Sequence, residues 1–224
     1  MKTQRRSIQG LLLAASLVGL PASAAAQSSP PYRMDVAGNI GWVHLDTRVG
    51  RPGDQSRWDS ALFGGVTAGW YWTDHLKTEI EAGGASEAQG FGNEIVVRDG
   101  RIVSRFRQTT TQRNTLAIAQ QYQFGRNAWF HPHVSVGAAV SFDTRTEYYD
   151  AIYDYFDPNR PYELIEPAHV DGPDRVTTFR PFFGLGAKAY VSSRAFVRSD
   201  LRIAGTTGRG VDEVTLRVGF GIDF

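Results

Sequence analysis

Apolar residues alternate with small or polar ones in segment after segment of the chain from residue 32 onward. Residues 76–83 are an example. Leu76, Thr78, Ile80 and Ala82 alternate along the chain with Lys77, Glu79 and Glu81. Side chains of a β-strand point alternately to its two faces, so this period predicts strands with one apolar face. The pattern predicts eight strands, at residues 32–45, 62–71, 76–83, 115–124, 130–143, 179–190, 195–203 and 213–224.

The second face of these strands indicates what kind of sheet they form. A soluble antiparallel sandwich exposes this face to water, and long charged residues and threonine are expected there. Here the face consists largely of Gly, Ala, Ser and isolated charges. Small residues with a few paired ions suit a narrow enclosed lumen, so the apolar face is the one that meets lipid.

The connections between the strands have the asymmetry of a membrane barrel. Those after the second, fourth and sixth strands are short, and those after the first, third and fifth are long. Aromatic residues cluster at the short-turn ends, as an interfacial girdle requires. These features predict an all-β fold, an eight-stranded antiparallel up-and-down transmembrane barrel with short periplasmic turns and long extracellular loops. The alternative is a secreted lipocalin-like barrel or sandwich.

The first residues have the pattern of a secretory signal peptide. Lys2, Arg5 and Arg6 precede an apolar stretch at residues 8–20, and small residues follow up to Ala26. A membrane anchor would need a longer apolar run. We therefore predict a signal peptide at residues 1–26 and an outer-membrane barrel domain at residues 27–224. Cleavage would remove three basic residues and change the formal net charge from +1 to −2.

Composition excludes several other classes of protein. A mean hydropathy of −0.30 is too polar for a bundle of transmembrane helices. The sequence contains no cysteine, which excludes disulfide scaffolds, thiol catalysis and cysteine-based zinc sites. The near-neutral charge balance gives no reason to expect a nucleic-acid partner.

The chain resembles the OmpA/OmpX-like family of small outer-membrane β-barrel proteins over essentially all of its mature sequence. The resemblance is carried by GWYWTDHL at 69–76, EIEAG at 79–83, FHPHVSVGA at 130–138, FVRSDLR at 196–202 and the alternating strand that ends in Phe224. It implies the outer membrane of a Gram-negative-type bacterium. It also implies that Phe224 is the assembly signal read by the barrel-assembly machinery. His133 and Ser135 stand where the family more often has an aromatic residue and a glycine.

Charged residues of both signs fall on the lumen face, which predicts a plugged, ion-paired core. Symmetric folding of the last hairpin places Asp200 opposite Arg217, and barrel closure is expected to bring Arg33 near Asp223. The alternative is a small passive pore. The lumen ions are Arg33, Asp35, Lys77, Glu79, Glu81, Asp143, Arg180, Lys188, Arg198, Asp200, Arg202, Arg217 and Asp223.

A catalytic alternative rests on three residues of the fifth predicted strand. His131, His133 and Ser135 share one face, and a His with a Ser is the minimum for an activated nucleophile. Such a pair on a barrel strand resembles lipid A deacylases and would make the chain a lipid A-modifying hydrolase. The residues fall near the periplasmic end, away from the leaflet that holds lipid A. We therefore expect no enzyme, no catalytic residue, no cofactor and no metal site.

The long connection at residues 144–175 is the candidate surface-binding loop. Long loops rich in aromatic residues are often functional, although the tyrosines could simply pack on one another. Its aromatic residues are Tyr148, Tyr149, Tyr153, Tyr155, Phe156 and Tyr162.

A second connection, at residues 94–104, has the pattern of a hairpin that extends the barrel above the membrane. Its arginines are expected to form a basic rim for lipopolysaccharide phosphates. The expected partners are outer-membrane lipid and lipopolysaccharide, the assembly machinery and an unknown extracellular ligand, with the chain a monomer. The expected role is envelope structure or surface interaction. The arginines of the rim are Arg98, Arg101, Arg105 and Arg107.

Overall fold

A computed structural model describes residues 32–46, 58–98, 101–124, 129–154, 163–206 and 210–224. The predicted signal peptide at residues 1–26 lies outside these residues. Within the described ranges, no helix is long and apolar enough to cross a membrane.

Eight long strands close into one antiparallel barrel, so the predicted fold class is confirmed. The ring order is β1-β10-β9-β8-β5-β4-β3-β2, and the short β6 and β7 form a separate antiparallel pair. The strands are β1 (Met34–Asp46), β2 (Trp58–Tyr71), β3 (Leu76–Arg98), β4 (Arg101–Gln123), β5 (Phe130–Tyr149), β6 (Ile152–Asp154), β7 (Glu163–Glu166), β8 (His169–Tyr190), β9 (Ala195–Thr206) and β10 (Gly210–Asp223).

The strands are strongly tilted relative to the barrel axis. Following paired residues once around the ring from Asp35 on β1 leads back to Leu45 on the same strand, ten residues further along. A displacement of this size in an eight-stranded barrel corresponds to a tilt of about 40–45°. A strand tilted in this way spans a bilayer with about ten residues.

The two faces of the wall are chemically inverted relative to a soluble protein. Large apolar side chains point outward, and Ile40 on β1 is 71% exposed. Ions point inward and are buried, as Lys77 and Glu79 on β3 show. The wall therefore offers an apolar band to lipid and a polar interior to itself.

Four neighbouring strands continue well beyond the others on the extracellular side. β2 pairs with β3 only as far as Phe63 and Ala85, and β9 pairs with β8 only as far as Ala204 and Phe182. Beyond these pairs, β3, β4, β5 and β8 continue as a four-stranded sheet. We call its residues 86–98, 101–112, 144–149 and 169–178 the protruding sheet.

The protruding sheet corrects two predictions about connections. β3 and β4 pair as far as Arg98 and Arg101, so the connection predicted between residues 83 and 115 consists largely of strand. The pairing of Glu94 with Arg105 agrees with the hairpin predicted at residues 94–104. The supposed loop at residues 144–175 consists largely of the ends of β5 and β8 and the small β6–β7 hairpin. The predicted strands were too short because the register is irregular within them. One irregularity lies between Ala85 and Ala88, and beyond it the odd-numbered residues of β3 face outward instead of the even-numbered ones.

We predict that a disulfide can be formed across the closing seam of the barrel. Ile40 on β1 and Val218 on β10 are paired, and both point outward. Because the native chain has no cysteine, Ile40→Cys with Val218→Cys should give one intramolecular disulfide on oxidation, seen as a mobility shift in non-reducing electrophoresis. Ile40→Cys with Ile80→Cys is the control, since β1 and β3 are not neighbours. A disulfide only in the control pair would show that the barrel closes differently.

Candidate functional site

The periplasmic end of the lumen holds two lysines between two aspartates. Lys77 Nζ lies 3.0 Å and Lys188 Nζ 3.2 Å from Asp35 Oδ2, and Lys188 also contacts Asp223 Oδ1 at 2.6 Å. The Tyr71 hydroxyl donates to Asp35 at 2.9 Å. Each buried ion at this level thus has an oppositely charged neighbour.

The middle of the lumen is held by carboxylates from β3 and arginines from β9. Arg198 Nη1 lies 2.6 Å from Glu79 Oε2, and Arg198 Nε lies 2.8 Å from Asp200 Oδ2. Arg202 donates two hydrogen bonds to Glu81, at 2.9 and 2.8 Å. Both pairs connect β3 to β9 across the barrel, so the ions bridge opposite walls.

Arg217 on β10 joins the middle cluster to the closing seam. Its guanidinium donates to Glu81 and lies 3.5 Å from Asp200 Oδ2. Arg217 and Asp200 are paired residues of β10 and β9, which is the position that the folded hairpin predicted.

The extracellular end of the lumen contains ions that the sequence analysis partly missed. Arg113 binds Asp143 through two hydrogen bonds, of 2.7 and 2.8 Å, and Glu213 through a third of 2.7 Å. Arg180 lies 3.4 Å from Asp143 and 3.3 Å from Asp212. Arg113 was missed because the fourth strand was predicted to begin at residue 115, although its alternation with Gln112 and Asn114 was a usable signal.

Glycine makes room for these ions at two positions of the inner face. A Cβ atom at Gly186 would lie 2.6 Å from His133 Nε2 and 2.7 Å from Asp200 Oδ1. A Cβ atom at Gly69 would overlap the Asp35 carboxylate. The small residues on the lumen face are therefore required by the volume of the ion pairs.

Arg33 is not a member of the lumen set. It precedes β1, and its side chain is exposed. Asp35 is the residue that pairs with Asp223 across the seam, and Lys188 from β8 supplies the cation between them. The expectation that Arg33 lies against Asp223 was wrong because the predicted first strand was extended two residues too far.

Paired side chains occupy the lumen at each level that the described residues cover. Layers of paired ions follow one another along the axis, and apolar residues including Val43, Leu45 and Phe63 fill one side of the wall. An eight-stranded barrel has an interior just wide enough for side chains. Within the described part of the chain, no three His, Asp or Glu side chains are grouped to hold a metal ion.

The three residues of the catalytic alternative lie in this filled lumen. His133 Nε2 contacts Asp200 Oδ1 at 2.8 Å, and that carboxylate is also bound by Arg198. The Nδ1 atoms of His131 and His133 are buried without a hydrogen-bond partner in the described structure. Ser135 follows on the same strand, but among the described residues the His133 ring is hydrogen-bonded only to Asp200. This arrangement fits His133 as a further member of the ion network.

A cluster at the extracellular mouth connects the small hairpin to the barrel. Arg105 on β4 lies 2.8 Å from Glu94 on β3 and 2.7 Å from Glu166 on β7. Its guanidinium also lies 4.3 Å from the centre of the Tyr149 ring, which stacks on His169. Burial lowers the pKa of Arg105, but the hydrogen bonds and charges of Glu94 and Glu166 outweigh it and leave the pKa above its ordinary value.

This mouth cluster corrects the predicted basic rim. Arg105 is paired with two carboxylates, and Arg107 shares its inward-facing side of the sheet and has interactions of its own. The side chains of Arg98 and Arg101 lie outside the described residues. Arg105 is therefore engaged within the chain and does not form a rim for phosphate groups.

The predicted surface-binding residues separate into different environments. Tyr149 is buried at the mouth and donates to Glu147, so it is not a surface residue. Tyr148 at the end of β5 and Tyr153 on β6 are exposed. Tyr155, Phe156 and Tyr162 lie outside the described residues.

Phe224 follows the last strand and has an exposed side chain beside the lipid-facing band. Its backbone exchanges two hydrogen bonds with Met34, of 3.0 and 2.9 Å, so it is fixed to β1 at the closing seam. Its role as an assembly signal stays a prediction.

Comparison with known proteins shows the family. The family profile of the outer membrane protein beta-barrel domain matches residues 11–224, and the chain belongs to this family. Membership in this family places the protein in the outer membrane. A search of curated protein sequences returned no match.

Among solved structures, Neisserial surface protein A supports the fold, and two others are similar at lower TM-scores. Neisserial surface protein A has a TM-score of 0.50 and 11% identity, covering 85% of this chain and 97% of that one. The N-terminal β-barrel domain of Pseudomonas aeruginosa OprF has a TM-score of 0.49 and 16% identity, covering 86% and 98%. The outer membrane protein OprG from the same organism has a TM-score of 0.47 and 14% identity, covering 86% and 97%. Identities this low bear on the fold alone.

We predict that removing one central carboxylate destabilises the barrel. Glu81→Gln leaves Arg202 and Arg217 buried without their shared anion, which should lower the free energy of unfolding by about 3 kcal/mol. Urea unfolding of the barrel in lipid vesicles would measure this change. Glu87→Gln is the control, because Glu87 is exposed on the outer face. Equal effects of the two substitutions would contradict the role of the buried pairs.

We also predict that the purified protein does not conduct ions. Side chains that are fixed by opposite charges on several strands leave no continuous aqueous path. Planar-bilayer recordings should show no stable openings at moderate voltage. Reproducible ion-selective openings of the wild-type protein would show that the lumen is a pore.

Proposed function

We propose that this outer-membrane barrel is non-enzymatic and monomeric, and that it serves surface interaction through its protruding sheet. A contribution to envelope structure is the alternative. In this proposal outer-membrane lipid surrounds the apolar band, lipopolysaccharide surrounds the extracellular end, and the barrel-assembly machinery reads Phe224.

The asymmetry of the extracellular end is the observation that supports this proposal. β3 continues from Ala85, its last pair with β2, to Arg98, and β8 begins at His169, well before its first pair with β9 at Phe182. These extensions are unnecessary for crossing a bilayer, because about ten residues per strand suffice. Ordered structure that a membrane span does not need, placed outside the cell, favours a role in contact with other molecules.

The face of the protruding sheet supports this role better than its β8 edge. An unpaired edge strand is a template for another strand unless prolines or charges block it. The β8 edge carries Pro173, Asp171 and Asp174. These residues oppose strand addition, so we place the interaction on the broad surface of the sheet.

The two alternatives receive less support from the lumen. A lipid A-modifying hydrolase needs Ser135 hydrogen-bonded to a histidine nitrogen, whereas in the described residues His133 Nδ1 has no hydrogen-bond partner and Nε2 contacts Asp200. A passive pore needs an open path, whereas Lys77, Lys188, Arg198 and their carboxylates fill the axis.

The proposal predicts that shortening the protruding sheet abolishes contact functions and leaves the barrel intact. In the shortened variant, residues 90–109 are replaced by Asn-Gly, which joins the paired residues Gln89 and Thr110 in a tight turn. Cells with this variant should lose most attachment to host-cell or matrix-coated surfaces relative to wild-type cells. Attachment counts at matched surface expression would measure the loss.

A second readout separates the two roles in the proposal. Detergent and bile sensitivity of the same cells reports envelope integrity. Ile203→Ala on the lipid-facing wall is a control that leaves the protruding sheet unchanged. If attachment is unchanged and detergent sensitivity increases, the role of the protein is in envelope structure and not in surface interaction.

A further inference from the structure

The outer face of the protruding sheet carries three aromatic rings around a glutamine. Phe91, Gln108 and Tyr148 are successive partners across β3, β4 and β5, and Phe106 lies opposite Asn93 in the adjacent row. These five residues are called the aromatic platform.

The rings of the platform are ordered and available. Phe91 and Phe106 stack with their centroids 5.8 Å apart. Phe91, Phe106 and Tyr148 are 36%, 38% and 39% exposed. Exposed aromatic side chains grouped on one face, outside the lipid band, usually indicate a binding surface. The amides of Asn93 and Gln108 lie between the rings and offer both hydrogen-bond donors and acceptors.

The neighbours of the platform on β3 and β4 are uncharged. The outward residues of β3 from Gln89 to Val97, and those of β4 from Ser104 to Thr110, are all uncharged. Glu94 and Arg105 point to the inner face, where they pair with each other, whereas Glu87 and Arg175 are exposed on the outer face. Neither Glu87 nor Arg175 pairs with a platform residue, so a phosphate or sulfate group on the platform itself would find no cation, and the chemistry there fits a neutral ligand.

The hydroxyl of Tyr148 is a neutral group bound to a carboxylate at the margin of the platform. The hydrogen bond to Asp150, with that carboxylate's charge, raises the pKa of Tyr148.

The platform lies well above the apolar band and faces sideways. On β4 the outward residues change from Leu116 to Asn114, Gln112 and Thr110 before the platform begins at Gln108. Six residues from Asn114 to Gln108 correspond to about 20 Å along an extended strand, and to about 14 Å of height at the tilt of these strands. At that height an outer leaflet of lipopolysaccharide presents its sugars and not its acyl chains.

We propose that the aromatic platform binds neutral sugar rings in the oligosaccharide of the lipopolysaccharide that surrounds the barrel. The apolar C–H face of a sugar ring packs on the aromatic rings, and its hydroxyl groups hydrogen-bond the amides of Asn93 and Gln108. This inference rests on the proposed surface function and names its ligand class. The inference places the lipopolysaccharide contact on the outer face of the protruding sheet and not on the arginines of the hairpin.

The test is saturation-transfer NMR with the full chain in lipid nanodiscs. The probes are core oligosaccharide released from lipid A, the same oligosaccharide after removal of its phosphates, and inorganic phosphate alone. We expect both oligosaccharides to bind with similar affinity and phosphate not to bind. Phe106→Leu, which keeps apolar area without a ring face, and Gln108→Ala should each weaken binding at least about tenfold.

A matched control is Thr177→Ala, an exposed threonine on β8 of the same sheet. It should bind as the wild type does, and the heat-dependent electrophoretic mobility of every variant should show a folded barrel. Binding of phosphate, binding only of the phosphorylated oligosaccharide, or no binding would overturn the proposal. So would self-association of the protein that Phe106→Leu abolishes.

This outcome is separable from the proposed surface function. If the shortened variant loses attachment while wild-type protein binds no oligosaccharide, the surface role stands and the sugar platform fails. If oligosaccharide binds and attachment is unchanged, the platform anchors the barrel among its own lipids and the attachment role fails.

Discussion

The structure depends on one constraint, which is that every second residue of a membrane strand must lie in a lumen no wider than a few side chains. An ion placed there has left water and is stable only beside an opposite charge. The ions of β3 and β9 meet this requirement across the barrel, as Glu79 and Arg198 do. Because these two strands are not neighbours, the pair also holds opposite walls together, and the barrel cannot widen without separating buried charges.

Strand alternation made much of this fold predictable from sequence. Eight strands, their order along the chain and the membership of the lumen face follow from a period of two and from the contrast between small and apolar residues. The neighbouring pair Asp200 and Arg217 could also be predicted, because a hairpin fixes its own register. The cross-barrel pairs could not, since Glu79 meets Arg198 only through the tilt that displaces Asp35 to Leu45 around the ring.

The misses have three physical causes. An extra residue near Ala85–Ala88 inverts the parity of β3, so a strict period of two stops there although the strand continues to Arg98. The predicted loop at residues 144–175 was wrong for another reason, because the strand ends that it contains are polar and lack an apolar face of lipid-facing length. Arg33 shows the opposite error: alternation continued past the true strand end, and nothing local marked where pairing with β10 begins.

The same parity inversion determines how charge is distributed outside the membrane. With β3 shifted by one residue, Glu94 turns inward to meet Arg105, and Phe91 and Asn93 turn outward. Arg105 then reaches Glu166, so the inward charges fix the β6–β7 hairpin over the mouth. The ion pairing that organises the lumen thus continues above the bilayer on the inner face and leaves neutral residues on the outer face around Phe91, Phe106 and Gln108. A single irregularity in register separates the charge that stabilises the fold from the surface that can bind a ligand.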